Sequence, residues 1–179
     1  MYNTFSFFVI GAKKSLVALK LKKFINIMTH LKVGDIAPVF SGLDSFGEKI
    51  NQSDFSGRRI ALYFYPKDDT PGCTAEACSF RDSYSELLEA GIAIVGVSPD
   101  SVKKHAKFTE KYNLPFPLIA DEDHTIINSF GVWGPKKFMG REYEGVYRET
   151  FIIGLDGRIE EIIEKVKTKE SAEQILASV

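Results

Sequence analysis

Cysteine is scarce in this chain: Cys73 and Cys78 are the only two in 179 residues. Two thiols are too few for a disulfide-built scaffold, and they suit a reducing compartment with a redox or catalytic pair. Their spacing is C-x4-C, so the C-x-x-C dithiol pattern is absent. The three histidines, His30, His105 and His124, are scattered. They give no zinc spacing with the cysteines, and each is expected at the surface. No apolar run is long enough to span a bilayer, since the stretch 5–10 is only six residues. There is no glycine-rich phosphate loop, no internal repeat and no low-complexity tract.

Acidic residues are missing from positions 1–34, which carry six lysines: Lys13, Lys14, Lys20, Lys22, Lys23 and Lys32. The remainder holds 17 basic residues against 24 acidic ones, so the net charge of −1 conceals a basic extension on an acidic domain. Nothing in that balance suggests a general polyanion binder. The organisation expected is an extension over 1–31 and one domain over 32–179. The lysines follow the apolar stretch 5–10 rather than preceding it, which is the wrong order for a signal peptide. The extension is expected to be disordered, to form a basic amphipathic helix over 13–27, or to reflect an over-extended start with Met28 as the alternative. Hydrophobic residues make up 44% of the chain, enough for a core without staples.

Two continuous apolar runs, 59–65 and 92–97, read as strands buried on both faces. Between them Ala77, Phe80, Tyr84, Leu87 and Leu88 recur at helical spacing, which predicts one helix to about Glu89 with a C-cap at Ala90-Gly91. Strand, helix and strand make a right-handed βαβ unit. Turn residues over 33–53 predict a β-hairpin ahead of it. A helix from the Ser98-Pro99-Asp100-Ser101 cap through Tyr112, a short strand ending at Leu118-Ile119 and a short helix within 121–130 follow. The charged stretch 136–144 reads as a loop. Asp156-Gly157 marks a hairpin between 150–153 and 158–163, and a final helix is expected over 169–177. The fold class is α/β, with a mixed central sheet, helices on both faces and an N-terminal hairpin.

Chemistry concentrates where the first buried strand ends, at Pro66-Lys67-Asp68-Asp69-Thr70-Pro71-Gly72-Cys73-Thr74-Ala75-Glu76-Ala77-Cys78. Thr70-Pro71 is an N-cap followed by proline at the first helical position, which sets Cys73 in the first turn. The unpaired backbone N–H groups and the positive end of the helix dipole favour a thiolate there. The competing reading is a small buried hydrophobe, a common fate for a free cysteine. On an intact helix, residues five apart lie about 8–9 Å apart at Cα. A disulfide needs Cα atoms within about 7 Å. Bonding between Cys73 and Cys78 therefore requires the helix start to unwind.

The motif Pro66-x-x-x-Thr70-x-x-Cys73 resembles the active-site signature of the peroxiredoxins. The fuller run through Cys78 is similar to the bacterioferritin comigratory protein, or peroxiredoxin Q, branch. The resemblance spans 32–179 and includes Gly96-Val97-Ser98-Pro99-Asp100, Tyr112-Asn113-Leu114-Pro115-Phe116, Gly131-Val132-Trp133-Gly134 and Arg148-x-Thr150-Phe151. It implies a thioredoxin-like fold and a cytoplasmic, cofactor-free peroxidase for hydrogen peroxide and organic hydroperoxides, active as a monomer. It assigns Cys73 as the attacking thiol and Thr70 and Arg148 as groups that contact thiolate and peroxide. Pro66 shields the sulfur, and Cys78 resolves the sulfenic acid as a disulfide that thioredoxin or a similar dithiol reduces. No nucleic acid or membrane partner is implied.

Read without the family, Thr70 is a plain N-cap whose hydroxyl can bond the helix start, and Pro66 is a strand terminator. Arg148 is a solvated strand arginine and Cys78 a spectator thiol. Glu76 either pairs with Arg148 or complements the helix dipole. Two rival functions stand beside the peroxidase: a non-enzymatic redox sensor using the Cys73–Cys78 switch, and a metal-binding module on the two cysteines.

Overall fold

The computed structural model describes residues 31–138 and 140–178. The basic segment 1–30, with its candidate helix, alternative start and His30, lies outside the described residues.

The two continuous apolar runs form the centre of the sheet. Strand β3 (Arg59–Phe64) pairs in parallel with β4 (Ile92–Ser98), and β4 pairs in parallel with β5 (Leu118–Ala120). The hairpin β1 (Ser41–Leu43) and β2 (Lys49–Asn51) extends that edge, β1 meeting β5 antiparallel. On the other side β8 (Glu149–Ile153) runs antiparallel to β3 and pairs with β9 (Ile159–Ile163) across the Asp156-Gly157 turn. Gly157 has φ +78°, a conformation that glycine adopts without the Cβ penalty. The seven-stranded order is β2-β1-β5-β4-β3-β8-β9.

Side chains alternate across β3 and divide the core in two. Ala61, Tyr63 and Tyr65 face a cluster with Cys73, Ala77 and Phe80 of helix α1 (Pro71–Asp82), Leu87 of α2 (Tyr84–Glu89), Phe108 of α3 (Val102–Tyr112) and Ile175 of α5 (Ser171–Leu176). Ile60, Leu62 and Phe64 face a second cluster with Phe40, Phe130, Phe151 and Ile126 and Ile127 of α4 (Thr125–Ser129). Helices therefore cover both faces of a mixed sheet, the thioredoxin-like architecture expected.

Three expectations need correction. The cysteine helix does not run unbroken to Glu89: Ser83, at ψ 18°, separates α1 from α2. A serine side chain competes for backbone partners, and here it stands where the helix is interrupted. The stretch 136–144 is not a loop but most of a separate ribbon, β6 (Trp133–Phe138) against β7 (Arg141–Val146), registered from Trp133–Val146 to Phe138–Arg141. Its charged side chains hid it, because a solvent-facing ribbon is held by backbone pairing rather than by an apolar face. Last, His105 is not a surface residue. It is fully buried, whereas His124 is half-buried against Trp133, with ring centroids 4.1 Å apart.

Candidate active site

Two stacked tyrosines, Tyr63 near the end of β3 and Tyr65 just past it, have centroids 5.3 Å apart. The chain then leaves the sheet through Pro66, which is half-buried, and enters α1 behind the Thr70-Pro71 start. Thr70 is the N-cap in extended geometry, and its carbonyl accepts the first helical bond from the Thr74 N–H at 2.8 Å. Its hydroxyl, however, makes no bond to the helix start. It donates to the Lys67 carbonyl at 3.0 Å, so it ties the loop 67–70 to itself.

Cys73 is buried on the first turn of α1. Arg148, in the two-residue link between β7 and β8, reaches it across 75 positions of sequence. Its Nη2 donates to Cys73 Sγ at 3.0 Å, and its Nη1 donates to Glu76. The guanidinium is thus a fork with one prong on sulfur and one on a carboxylate, which a lysine could not reproduce. Burial opposes its charge, but Glu76 and Cys73 outweigh burial and raise its pKa.

Glu76 lies one turn after Cys73 and is fully buried. Burial pushes its pKa up to about 7 against the pull of Arg148. Among the described residues its second oxygen, Oε1, has no hydrogen-bond partner, nor does the buried hydroxyl of Tyr63. Burial first, and Glu76 next, push the Tyr63 hydroxyl well above its ordinary range. Gly96 leaves room for this ring, since a Cβ there would fall 2.8 Å from the Tyr63 oxygen. A second cation comes from the ribbon: Lys136 donates to the Val146 carbonyl at 2.8 Å. Burial, then repulsion from Arg148, lower its pKa, while Cys73 pulls the other way.

Both cysteines are free thiols, Cys73 buried and Cys78 half-buried. They occupy one continuous helix, so the Cα separation of about 8–9 Å is that of an intact helix, too long for a disulfide. Arg81 lies beside Cys78 and donates to the Tyr112 carbonyl at 2.9 Å. Among the described residues no group of three or more His, Cys, Asp or Glu is arranged to hold a metal ion.

Residues 33–162 match the AhpC/TSA family model. This chain is a peroxiredoxin of the AhpC/TSA family. It is 48% identical over 149 residues to peroxiredoxin Bcp of Escherichia coli K12, covering 83% of this chain and 96% of that protein. Against peroxiredoxin Bcp of Bacillus subtilis it is 47% identical over 146 residues, covering 82% and 93%. Among solved structures it resembles Xylella fastidiosa PrxQ with a Cys-to-Ser replacement, at TM-score 0.78 and 33% identity, covering 83% and 95%. It also resembles the Xanthomonas campestris bacterioferritin comigratory protein, at TM-score 0.74 and 34% identity, covering 83% and 94%. The latter structure concerns alkyl peroxide reduction and trapped intermediate and ligand complexes. Membership makes this peroxiredoxin a peroxidase, with a peroxide substrate and a thiol reductant. No helix among the described residues is long and apolar enough to cross a membrane.

Pro66, Thr70, Cys73, Cys78 and Arg148 were all candidates from sequence. Tyr63 and Lys136 were not. Tyr63 has a weak signal, since it alternates in step with Ala61 on β3 and with Tyr65 just past it. Lys136 has none, because the ribbon that carries it read as a loop.

Proposed function

We propose that Cys73 is the peroxide-attacking thiol and that the peroxiredoxin works as a two-cysteine enzyme within one chain. The carrying observation is the 3.0 Å contact from Arg148 Nη2 to Cys73 Sγ at the start of α1. The Cys73 thiolate attacks one peroxide oxygen and the O–O bond breaks. The sulfur keeps the attacked oxygen as a sulfenic acid, and the departing oxygen takes a proton to become water or an alcohol. Arg148 stabilises the thiolate and the charge that grows on the departing oxygen. Thr70 orients the peroxide from the loop, and Pro66 screens the sulfur from water.

Cys78 then attacks the Cys73 sulfur, the sulfenic oxygen leaves as water, and the start of α1 unwinds to let the disulfide close. Thioredoxin or a similar dithiol restores both thiols by exchange. The same reading makes the enzyme a cytoplasmic monomer that needs no cofactor; for the compartment, two cysteines in 179 residues suit a reducing environment. The test is steady-state peroxide consumption coupled to a thioredoxin system. Wild type turns over with hydrogen peroxide and with a neutral alkyl hydroperoxide, and Cys73→Ser is inactive with both. Turnover by Cys73→Ser would refute the assignment. Turnover by wild type with dithiothreitol but not with thioredoxin would refute the reductant.

A further inference from the structure

The fully buried His105 lies on α3, outside the reaction described above, and both its ring nitrogens have polar partners, the Tyr65 hydroxyl lying 3.5 Å from Nδ1. Its Nδ1 is 2.7 Å from Asp68 Oδ2, and its Nε2 is 3.2 Å from the Ile119 carbonyl. A carbonyl can only accept, so Nε2 carries a proton. At 2.7 Å the contact to Asp68 is a hydrogen bond as well, so a proton lies between Nδ1 and the carboxyl. The other carboxyl oxygen of Asp68 accepts from the Tyr65 hydroxyl at 2.7 Å. The Asp68 N–H donates to Asp100 Oδ2 at 2.7 Å. Every group in this buried cluster has a partner, the condition under which a polar network fixes one geometry.

The cluster sits directly before the reacting thiol. Asp68 is the middle of the loop 66–70, bolted by it to the end of β3, to α3 and to the turn after β4. The next residue is held as well: Asp69, in the left-handed region at φ +55°, accepts from Lys111 Nζ at 2.7 Å and from the Tyr112 hydroxyl at 2.7 Å. Glu76 and Cys73 follow on a helix whose start must unwind for Cys73 to meet Cys78. A loop with this many attachments cannot follow that motion without breaking a satisfied buried network, which costs far more than fraying exposed turns.

We propose that Tyr65, Asp68 and His105 form a buried, hydrogen-bonded clamp that stays closed through both halves of the catalytic cycle. It holds the loop 66–70 in place for attack on peroxide and confines unwinding to α1. Asp68 and His105 are positioning residues: they act through Thr70 and Cys73 and touch no substrate. The second half of the proposal rests on Cys78 as the resolving thiol; the first half does not.

The test separates these halves. Oxidation of Cys73 by peroxide is followed in single turnover in the Cys78→Ser background, where resolution plays no part. Asp68→Ala slows it by roughly ten- to a hundredfold, the upper end being the loss that goes with an ångström's displacement of a reacting atom. Asp68→Asn restores most of the rate, because the Asn amide can donate to a neutral His105 whose Nε2–H still reaches Ile119. Oxidation of Asp68→Ala at the wild-type rate, or failure of Asp68→Asn to recover relative to Asp68→Ala, overturns the positioning role.

In the wild-type protein, NMR of the His105 ring protons reads the clamp directly. Both are slow to exchange in the reduced protein and stay so in the disulfide form. Their loss to exchange when the disulfide closes would show that the loop moves with α1 and would overturn the clamp. If intact mass shows that no Cys73–Cys78 disulfide forms, the resolving-cysteine reading fails instead, and the Asp68 rates still decide the positioning role.

Discussion

Replacing Arg148 by methionine keeps an unbranched apolar stem and removes the guanidinium fork. Two things are lost: the donor at 3.0 Å from Cys73 Sγ and the partner of buried Glu76. A hydrogen bond to a charged group contributes about 1.5–3 kcal/mol. If that bond strengthens as charge passes from sulfur to the departing oxygen, oxidation of Cys73 slows roughly 10- to 150-fold. Glu76 answers differently. A fully buried carboxylate without its cation protonates rather than remain charged, so its pKa climbs further above about 7.

The two effects can be separated. Adding Glu76→Gln to Arg148→Met recovers stability lost to the orphaned carboxylate but does not recover rate, because the sulfur still lacks its donor. The assay is stopped-flow oxidation by hydrogen peroxide, with urea unfolding run alongside to measure stability. Wild-type oxidation rates in Arg148→Met would refute the claim that the guanidinium serves the reacting sulfur.

Glu76 gives a pH prediction by itself. Its folded pKa of about 7 lies above the ordinary 4.5, so between those values the folded protein binds the extra proton. Stability from this group is fully present below about 4.5 and is lost as pH rises through about 7, by about 3 kcal/mol in all. Urea unfolding from pH 5 to 8 should show that decline, and Glu76→Gln should flatten it; an equal slope in both proteins contradicts the assignment. Phe80 is fully buried, with its ring centroid 4.9 Å from that of Tyr63. Phe80→Ala should cost about 3–5 kcal/mol, read as a lower urea midpoint with little change in slope. Lys136→Met removes a half-buried ammonium that Arg148 repels and Cys73 attracts. Oxidation of Cys73 should slow while stability holds or rises, and a faster reaction would show that Lys136 hinders rather than helps the thiolate.

The elements that the sequence made legible are those whose signals are local. Residues 60–64 and 92–97 are buried on both faces, and their continuous apolar runs say so. Asp156-Gly157 carries its own turn chemistry. The cap, the proline and Cys73 lie within four consecutive residues, so the helix start could be placed from spacing. Arg148 was different: 75 residues separate it from the sulfur, nothing local joins them, and only the family resemblance pointed to the pair.

His105 shows the same limit more sharply. Flanked by Lys103, Lys104 and Lys107, it read as a surface residue, and its burial depends on a carboxylate 37 positions away. The ribbon of β6 and β7 escaped because its strands bury no continuous face. Ser83 interrupts the helix between two buried apolar residues, Phe80 and Leu87, whose spacing fits an unbroken one.

The central claim is that Cys73 attacks peroxide and Cys78 resolves it within the same chain. Intact mass after one equivalent of hydrogen peroxide tests it most directly, on wild type and on Cys78→Ser. The account predicts that wild type loses two hydrogens as the disulfide closes, while Cys78→Ser gains one oxygen at Cys73. A wild-type protein left unchanged would return Cys73 to a buried structural thiol, and one that keeps an added oxygen would move resolution to an outside thiol.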